Sequence, residues 1–410
     1  MGLDEPFGTL SDITVIDLTQ MLAGPYATMM LADHGARVIK VEPPGGDMTR
    51  DPAQSDGSGN RLGGYFQSID RNKDSVVLDL KTEGGRTAFK ALVHSSDAVI
   101  ENFRSGVMER LGLGYEALSE INPRLVYGTL RGFGDPRTGT SPYQDWPAFD
   151  VIAQAMGGIM AITGPNANTP TKVGPGVGDI APGMMLAFGV LAAIHHARRT
   201  GQGQFVDVAM TDAVLAVCER MIWQHSTEGV VPGPEGNHHP FLCPFGMFPA
   251  ADGFITVAAQ QDAFFDILVT SVGAEWMTRD PRFSTRSQRV QNRLELIDIL
   301  SRELAKFTKA ELTAKLGGKI PFGPVMNIAE IEKDRHFITR KMIVEVDDPG
   351  RASIRIAGVP VKMTRTPGAV KRRAPLLGEH TRLRLQEVGL SEEEIELLIE
   401  RREAAQFQKG

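Results

Sequence analysis

The first 130 residues predict a doubly wound, Rossmann-like α/β sheet, on three observations. Short β-rich apolar runs recur at "TVIDLT" (14–19), "ARVIKVE" (36–42), "SVVLDL" (75–80), "DAVIENF" (97–103) and "RLVYGTL" (124–130). Such runs suit strands buried on both faces. Helical stretches, "GPYATMMLADHG" and "TEGGRTAFKALVHSS", separate them. Strand, helix, strand within about thirty residues makes a βαβ unit with a parallel sheet. The punctuation agrees: Pro25 suits a first helical turn and Gly35 a position just past a helix end.

The later elements follow in order. "FDVIAQAMGGIMAITG" (149–164) and "APGMMLAFGVLAAIHHARR" (181–199) predict helices. "TGQGQFVDVAM" (200–210) is a turn feeding a strand, and Thr211 or Asp212 would cap the helix "AVLAVCERMIWQHS". Residues 227–240, "TEGVVPGPEGNHHP", are rich in Gly and Pro and make a linker. A smaller unit comes next. "GMFPAADGFITVAA" reads as a hairpin around Asp252-Gly253. Helices recur from about 261 to 318, "RASIRIAGVPVKM" (351–363) is strand-like, and a charged helix starts at Ser391.

Composition narrows the class. The chain has 410 residues, enough for a large α/β domain and a smaller one. Its net charge is -6, so no global basic field points to nucleic acid. The two cysteines, Cys218 and Cys243, stand apart and form no CxxC, so neither a zinc site nor a disulfide framework is expected. "MGLDEPFGTL" lacks a basic n-region and an apolar h-region, so no signal peptide is expected. Pro6 stands where a myristoylation motif at Gly2 needs Ser or Thr. The apolar run "GMMLAFGVLAAI" is too short to span a bilayer. These features predict a soluble, cytoplasmic protein.

A βαβ start raises the dinucleotide possibility. The first turn, "QMLAGPYATMM", has a single glycine, Gly24, where that fingerprint needs GxGxxG. Glu42 falls where a ribose-binding acid would, but an acid at a strand end is common by chance. NAD is therefore not expected, although the helix start after Gly24 could hold a phosphate. His195-His196 and His238-His239 are adjacent pairs, and adjacent residues on a helix do not share a face. The first pair is a poor metal site, and the second, in a loop, could line a pocket. No HExxH, GxSxG or P-loop occurs.

Basic residues are more telling. Arg71 and Lys73 sit in "IDRNKDS", Arg104 and Arg110 in "ENFRSGVMERLG", and Arg131 in "LRGFGD". Each cluster alone could be solvated surface charge. Three clusters at strand ends of one sheet favour an anionic, phosphate-bearing ligand. Two acids stand in unusual company. Asp179, in "GPGVGDIAPG", reads as a helix N-cap. Asp150, in "WPAFDVIAQAMGG", lies near a helix start among apolar neighbours, with Gln154 as its polar company. A carboxylate in such a place is either a cap or a nucleophile.

These segments together resemble the class III CoA-transferases, the family of formyl-CoA transferase and carnitine CoA-transferase. The resemblance rests on "VIDLTQMLAGPYATMMLADHGARVIKVEPPGGD", "DRNKDSVVLDLKTEGGR", "DAVIENFRSGVMERLGLGYE", "LRGFGDPRTG", "FDVIAQAMGG" and "APLLGEHT", in the family's order. It implies a Rossmann-like large domain built from both chain ends, with a smaller α+β domain inserted between. The expected boundaries are 1–225, 226–325 for the small domain, and 326–410 for a linker and the rest of the large one. It also implies an interlocked homodimer acting on acyl-CoA and a carboxylic acid, with no metal and no membrane or nucleic-acid partner.

The family's catalytic aspartate falls on Asp150. Its CoA contacts fall on Met21, Ala23, Arg71, Asn72, Lys73, Asn102, Phe103, Arg110, Arg131 and Gly132, and Arg104 belongs to the same basic cluster. Gln20 and Phe149 are expected on the substrate side, where His238 and His239 would hold a second carboxylate. Pro43 replaces an arginine that some members carry after the acid matching Glu42. The α-methylacyl-CoA racemases share most of these motifs, including an acid/base residue at Asp179. Their partner histidine, immediately before Asp150, is Phe149 here, which favours CoA transfer over racemisation. "NHHPFLCPFG" lacks the glycine run of the formyl-CoA enzymes, which argues against a strict formyl/oxalate enzyme.

Overall fold

The computed structural model describes residues 7–50, 62–349 and 351–407. Gly2 and Pro6, the acylation positions considered above, lie outside them. Six strands form the parallel part of one sheet: β1 (Thr14–Asp17), β2 (Arg37–Glu42), β3 (Asp74–Leu78), β4 (Ala98–Glu101), β5 (Val126–Arg131) and β6 (Phe205–Ala209). Their spatial order is β3-β2-β1-β4-β5-β6, and the short strand Ala404–Ala405 pairs antiparallel to β3. The order reverses between β1 and β4, which is the topological switch point of a doubly wound sheet.

The strands match the apolar runs because both sheet faces are covered. Ile16, Ile39, Val76, Val99 and Tyr127 pack with Phe89 and Leu92 of the helix Glu83–His94 in one buried cluster. The first helix, Ala23–Asp33, ends as expected, with Gly35 in the left-handed region (φ +102°) just past the cap.

The described chain divides into two compact units. The first takes residues up to 159, 173–222 and from 335 onward. The second takes 160–172 and 223–334. In the second unit, Phe245–Ala250 and Gly253–Ala258 form the expected hairpin, and Phe322–Pro324 extends the sheet. Helices Asp262–Ser271 and Arg293–Leu304 supply Phe265, Leu268, Leu296 and Leu300 to its separate core.

Three helices differ from the sequence expectation. The 149–164 stretch breaks after Asp150–Met156, because Gly158 adopts φ +96°. A β-carbon on Gly157 would also lie 2.5 Å from Val214 Cβ. The second helix begins at Val177, four residues early, and accommodates Pro182 inside its second turn. Asp179 is therefore not its N-cap: Gly176 is, and Asp179 sits in the first turn. The third splits into Met210–Val217 and Met221–Glu228; the first piece has no side-chain cap, and the Thr211 hydroxyl donates to the Gly132 carbonyl instead.

The 24-residue helix Val177–Thr200 also corrects the bilayer argument. By length and composition it could cross a membrane, whereas the twelve-residue run within it could not. Its buried side, including Ala181, Leu186, Val190 and Ile194, packs in the core of the first unit, against Ala23–Asp33 and β5.

Candidate active site

A cavity of about 430 Å³ opens at the carboxyl ends of β1, β4 and β5, the place where open α/β sheets bind ligands. Gln20, Met21, Ala23, Asn102, Phe103, Arg104, Arg110, Arg131, Gly132 and Phe149 all line it. Most of the site residues expected from sequence are thus brought together by topology alone. Met21 takes a left-handed backbone (φ +68°) that turns the chain from β1 into its helix. Asn102 holds that turn: its Oδ1 accepts the Gln20 N–H at 2.9 Å and its Nδ2 donates to the Gln20 carbonyl at 2.8 Å. Gly132 is needed for close approach, since a β-carbon there would lie 2.4 Å from Ala148 Cβ.

The cations divide into two kinds. Arg104 and Arg110 are exposed, and neither makes an ion pair among the described residues. Arg131 is buried and engaged on every side. It donates to Glu101 at 2.6 Å and to the Phe103 carbonyl at 3.1 Å, and it pairs with Asp135. Burial pushes the Glu101 carboxyl up to about 7, against the pull of Arg131 and the Phe103 N–H. Arg131 therefore shapes the cavity wall, and the free positive charge comes from Arg104 and Arg110.

Arg71, Asn72 and Lys73 depart further from expectation, because their side chains turn inward. Arg71 makes a bidentate pair with Asp33, with the shorter contact at 2.7 Å. Asn72 bridges Asp33 and the backbone at Ala369, Lys371 and Arg372. Lys73 donates to Asp17 at 3.0 Å and Asp70 at 2.7 Å, entirely buried. Burial would raise the Asp17 carboxyl, but Lys73 and Lys40 hold it well below the usual range. Glu42, the one ribose-acid candidate, is engaged by Arg50 at 2.6 Å and by the Ser75 hydroxyl at 2.6 Å.

Asp150 is the first residue of its helix and follows the cavity-lining Phe149. Its carboxylate meets the start of the long helix, where Gly178 N–H donates to Oδ1 at 2.9 Å. Negative charge is favoured at such a helix start. Gln154, one turn on, donates from Nε2 to both carboxylate oxygens at 2.9 Å. A β-carbon on Gly176 would lie 3.8 Å from Asp150 Cγ, 3.7 Å from Asp179 Oδ2 and 3.0 Å from Leu22. Asp150 therefore sits beside Leu22 and Asp179, which both line the cavity. Tyr65, on the same wall, has its phenol pushed up by burial and by the nearby Asp179 charge.

Gln154 was visible in the sequence only as a polar neighbour, yet its i,i+4 spacing from Asp150 is the signal that puts both on one helix face. At the end of this helix the Gly157 N–H is taken by the Ala153 carbonyl. His238 and His239 belong to the second unit and do not line this cavity. His238 packs edge-on against Phe248, and burial with the nearby Arg293 lowers its pKa. It is therefore a poor cation for a second carboxylate. His239 Nδ1 accepts the Phe241 N–H at 3.1 Å.

Comparison with known proteins gives the family. The family model described as CoA-transferase family III matches residues 10–381. The succinyl-CoA:mesaconate CoA-transferase of Haloarcula hispanica is 47% identical, over 93% of this chain and 97% of its own length. The succinyl-CoA–D-citramalate CoA-transferase of Chloroflexus aurantiacus is 37% identical, over 98% and 100%. Among solved structures, a CAIB/BAIF family protein from Brucella suis aligns with TM-score 0.84 at 34% identity, covering 93% of this chain and all of that one. The chain belongs to CoA-transferase family III and is a CoA-transferase.

Proposed function

We propose that the protein carries CoA from succinyl-CoA, or a similar small acyl-CoA, to a small dicarboxylic acid, with Asp150 as the nucleophile. The observation that carries this reading is the Asp150 carboxylate, held by Gln154 and Gly178 N–H beside a cavity at the switch point. The relatives whose names pair succinyl-CoA with mesaconate or D-citramalate support the substrate class.

The steps balance without external energy, because one thioester is exchanged for another. The Asp150 carboxylate attacks the thioester carbonyl, the C–S bond breaks, and CoA thiolate leaves a mixed anhydride. The thiolate attacks the Asp150 acyl carbon and releases the donor acid, leaving an aspartyl-CoA thioester. The acceptor carboxylate attacks that thioester, expelling thiolate and forming a second anhydride. The thiolate then attacks the acceptor acyl carbon and regenerates Asp150. A carboxylate serves because its anhydride is reactive in both directions. Arg104 and Arg110 hold the phosphates, as exposed guanidinium groups suit, while Gln20 and Phe149 face the acyl end.

Racemisation of a 2-methylacyl-CoA is disfavoured, since Phe149 offers no base before Asp150. A homodimer, interlocked and with the smaller unit inserted in the larger, is proposed with this function. Phe149, Val151, Ile152, Met156, Met184, Met185, Phe188, Leu215 and Val217 are all exposed on the first unit. Exposed apolar area of this kind marks an interaction surface. Asp150→Ala should abolish CoA exchange while CoA still binds within about threefold in calorimetry, a change under 1 kcal/mol. A variant that still exchanges CoA would contradict the assignment.

A further inference from the structure

We propose that Gln154 is the positioning residue that aims the Asp150 carboxylate. The inference rests on Asp150 being the nucleophile. Gln154 is completely buried, and each end of its amide has a partner. Val173 N–H donates to Oε1 at 2.9 Å, which fixes the orientation of an amide whose two ends otherwise look alike. Nε2 must then face Asp150, and it lies 2.9 Å from both oxygens.

The arrangement does more than fill space. One side chain spans the helix Asp150–Met156 and the segment that leads, through Gly176, to the helix Val177–Thr200. That helix in turn sends Gly178 N–H to Asp150 Oδ1. The carboxylate is thus held from its own helix and from the next one. The donor also sets the carboxylate plane, which decides whether an oxygen can meet a thioester carbonyl at bonding distance.

Two substitutions test this. Gln154→Met keeps the volume and removes the donor. Its kcat should fall about 10- to 100-fold, less than the hundredfold or more lost with a donor that touches the reacting oxygen, while KM for succinyl-CoA stays within about twofold, since no binding contact is lost. Gln154→Glu keeps the shape but donates only when protonated. Its activity relative to wild type should rise as pH falls.

A Gln154→Met enzyme with wild-type kcat overturns the proposal. If that variant does not fold, a Gln154→Glu to wild-type ratio that is flat across pH overturns it instead. Hydroxylamine trapping separates the two claims. A wild-type enzyme that turns over without Asp150 hydroxamate removes the nucleophile assignment and this inference with it. Hydroxamate forming equally fast in wild type and Gln154→Met removes this inference alone.

Discussion

The side-chain amide of Asn102 closes a two-bond ring with the backbone of Gln20, at 2.8 and 2.9 Å, across the point where the sheet order reverses. It joins the carboxyl ends of β1 and β4, the two strands between which the cavity opens. Asn102→Ala leaves the Gln20 N–H and carbonyl without these partners. It should cost about 1–3 kcal/mol of stability in urea titrations and raise KM for acyl-CoA roughly tenfold, the equivalent of 1.4 kcal/mol. Wild-type KM in this variant would show that the turn at Met21 holds itself.

Arg104 and Arg110 are the exposed cations of the cavity. Each change to Ala should weaken CoA binding about three- to tenfold in calorimetry, as exposed charge contacts do. The wild-type affinity should fall as salt rises, since these charges are screened. Unchanged affinity in the double variant would move the phosphate site elsewhere.

Arg71 makes the opposite case. Its loss leaves Asp33 buried without its bidentate partner. Arg71→Ala should cost about 3–5 kcal/mol of stability, as broken buried pairs do, and leave CoA affinity of the folded fraction unchanged. A stable variant that binds CoA poorly would restore Arg71 to the ligand site.

Both cysteines are buried, and burial pushes the Cys218 thiol up and Cys243 to about 11. A raised thiol pKa means less thiolate at any pH below it, and thiolate is the reactive form. Ellman's reagent at pH 8 should therefore find almost no reactive thiol in the native protein and two after denaturation. Rapid labelling of the native protein would contradict the burial.

The sheet was legible because parallel strands buried on both faces leave continuous apolar runs, and Val15, Ile16, Val99 and Ile100 are fully buried. The cavity was legible because strand ends in a doubly wound sheet converge at the switch point. The fate of individual charges was not. Arg71 and Lys73 meet Asp33 and Asp17, which lie 38 and 56 residues away. Nothing local distinguishes a cation waiting for phosphate from one with a distant carboxylate. The early start of Val177–Thr200 was hidden by Pro182, which ordinarily marks a helix beginning. Gln154 lay in plain view at i+4, but its role needed Val173 N–H to fix the amide.

The central claim is that Asp150 carries the acyl and CoA groups in turn. Incubation with succinyl-CoA, quenching with hydroxylamine and peptide mass spectrometry read this directly. Hydroxamate is expected at Asp150, dependent on acyl-CoA and absent at Asp179. An enzyme that exchanges CoA while Asp150 is recovered unmodified would contradict it.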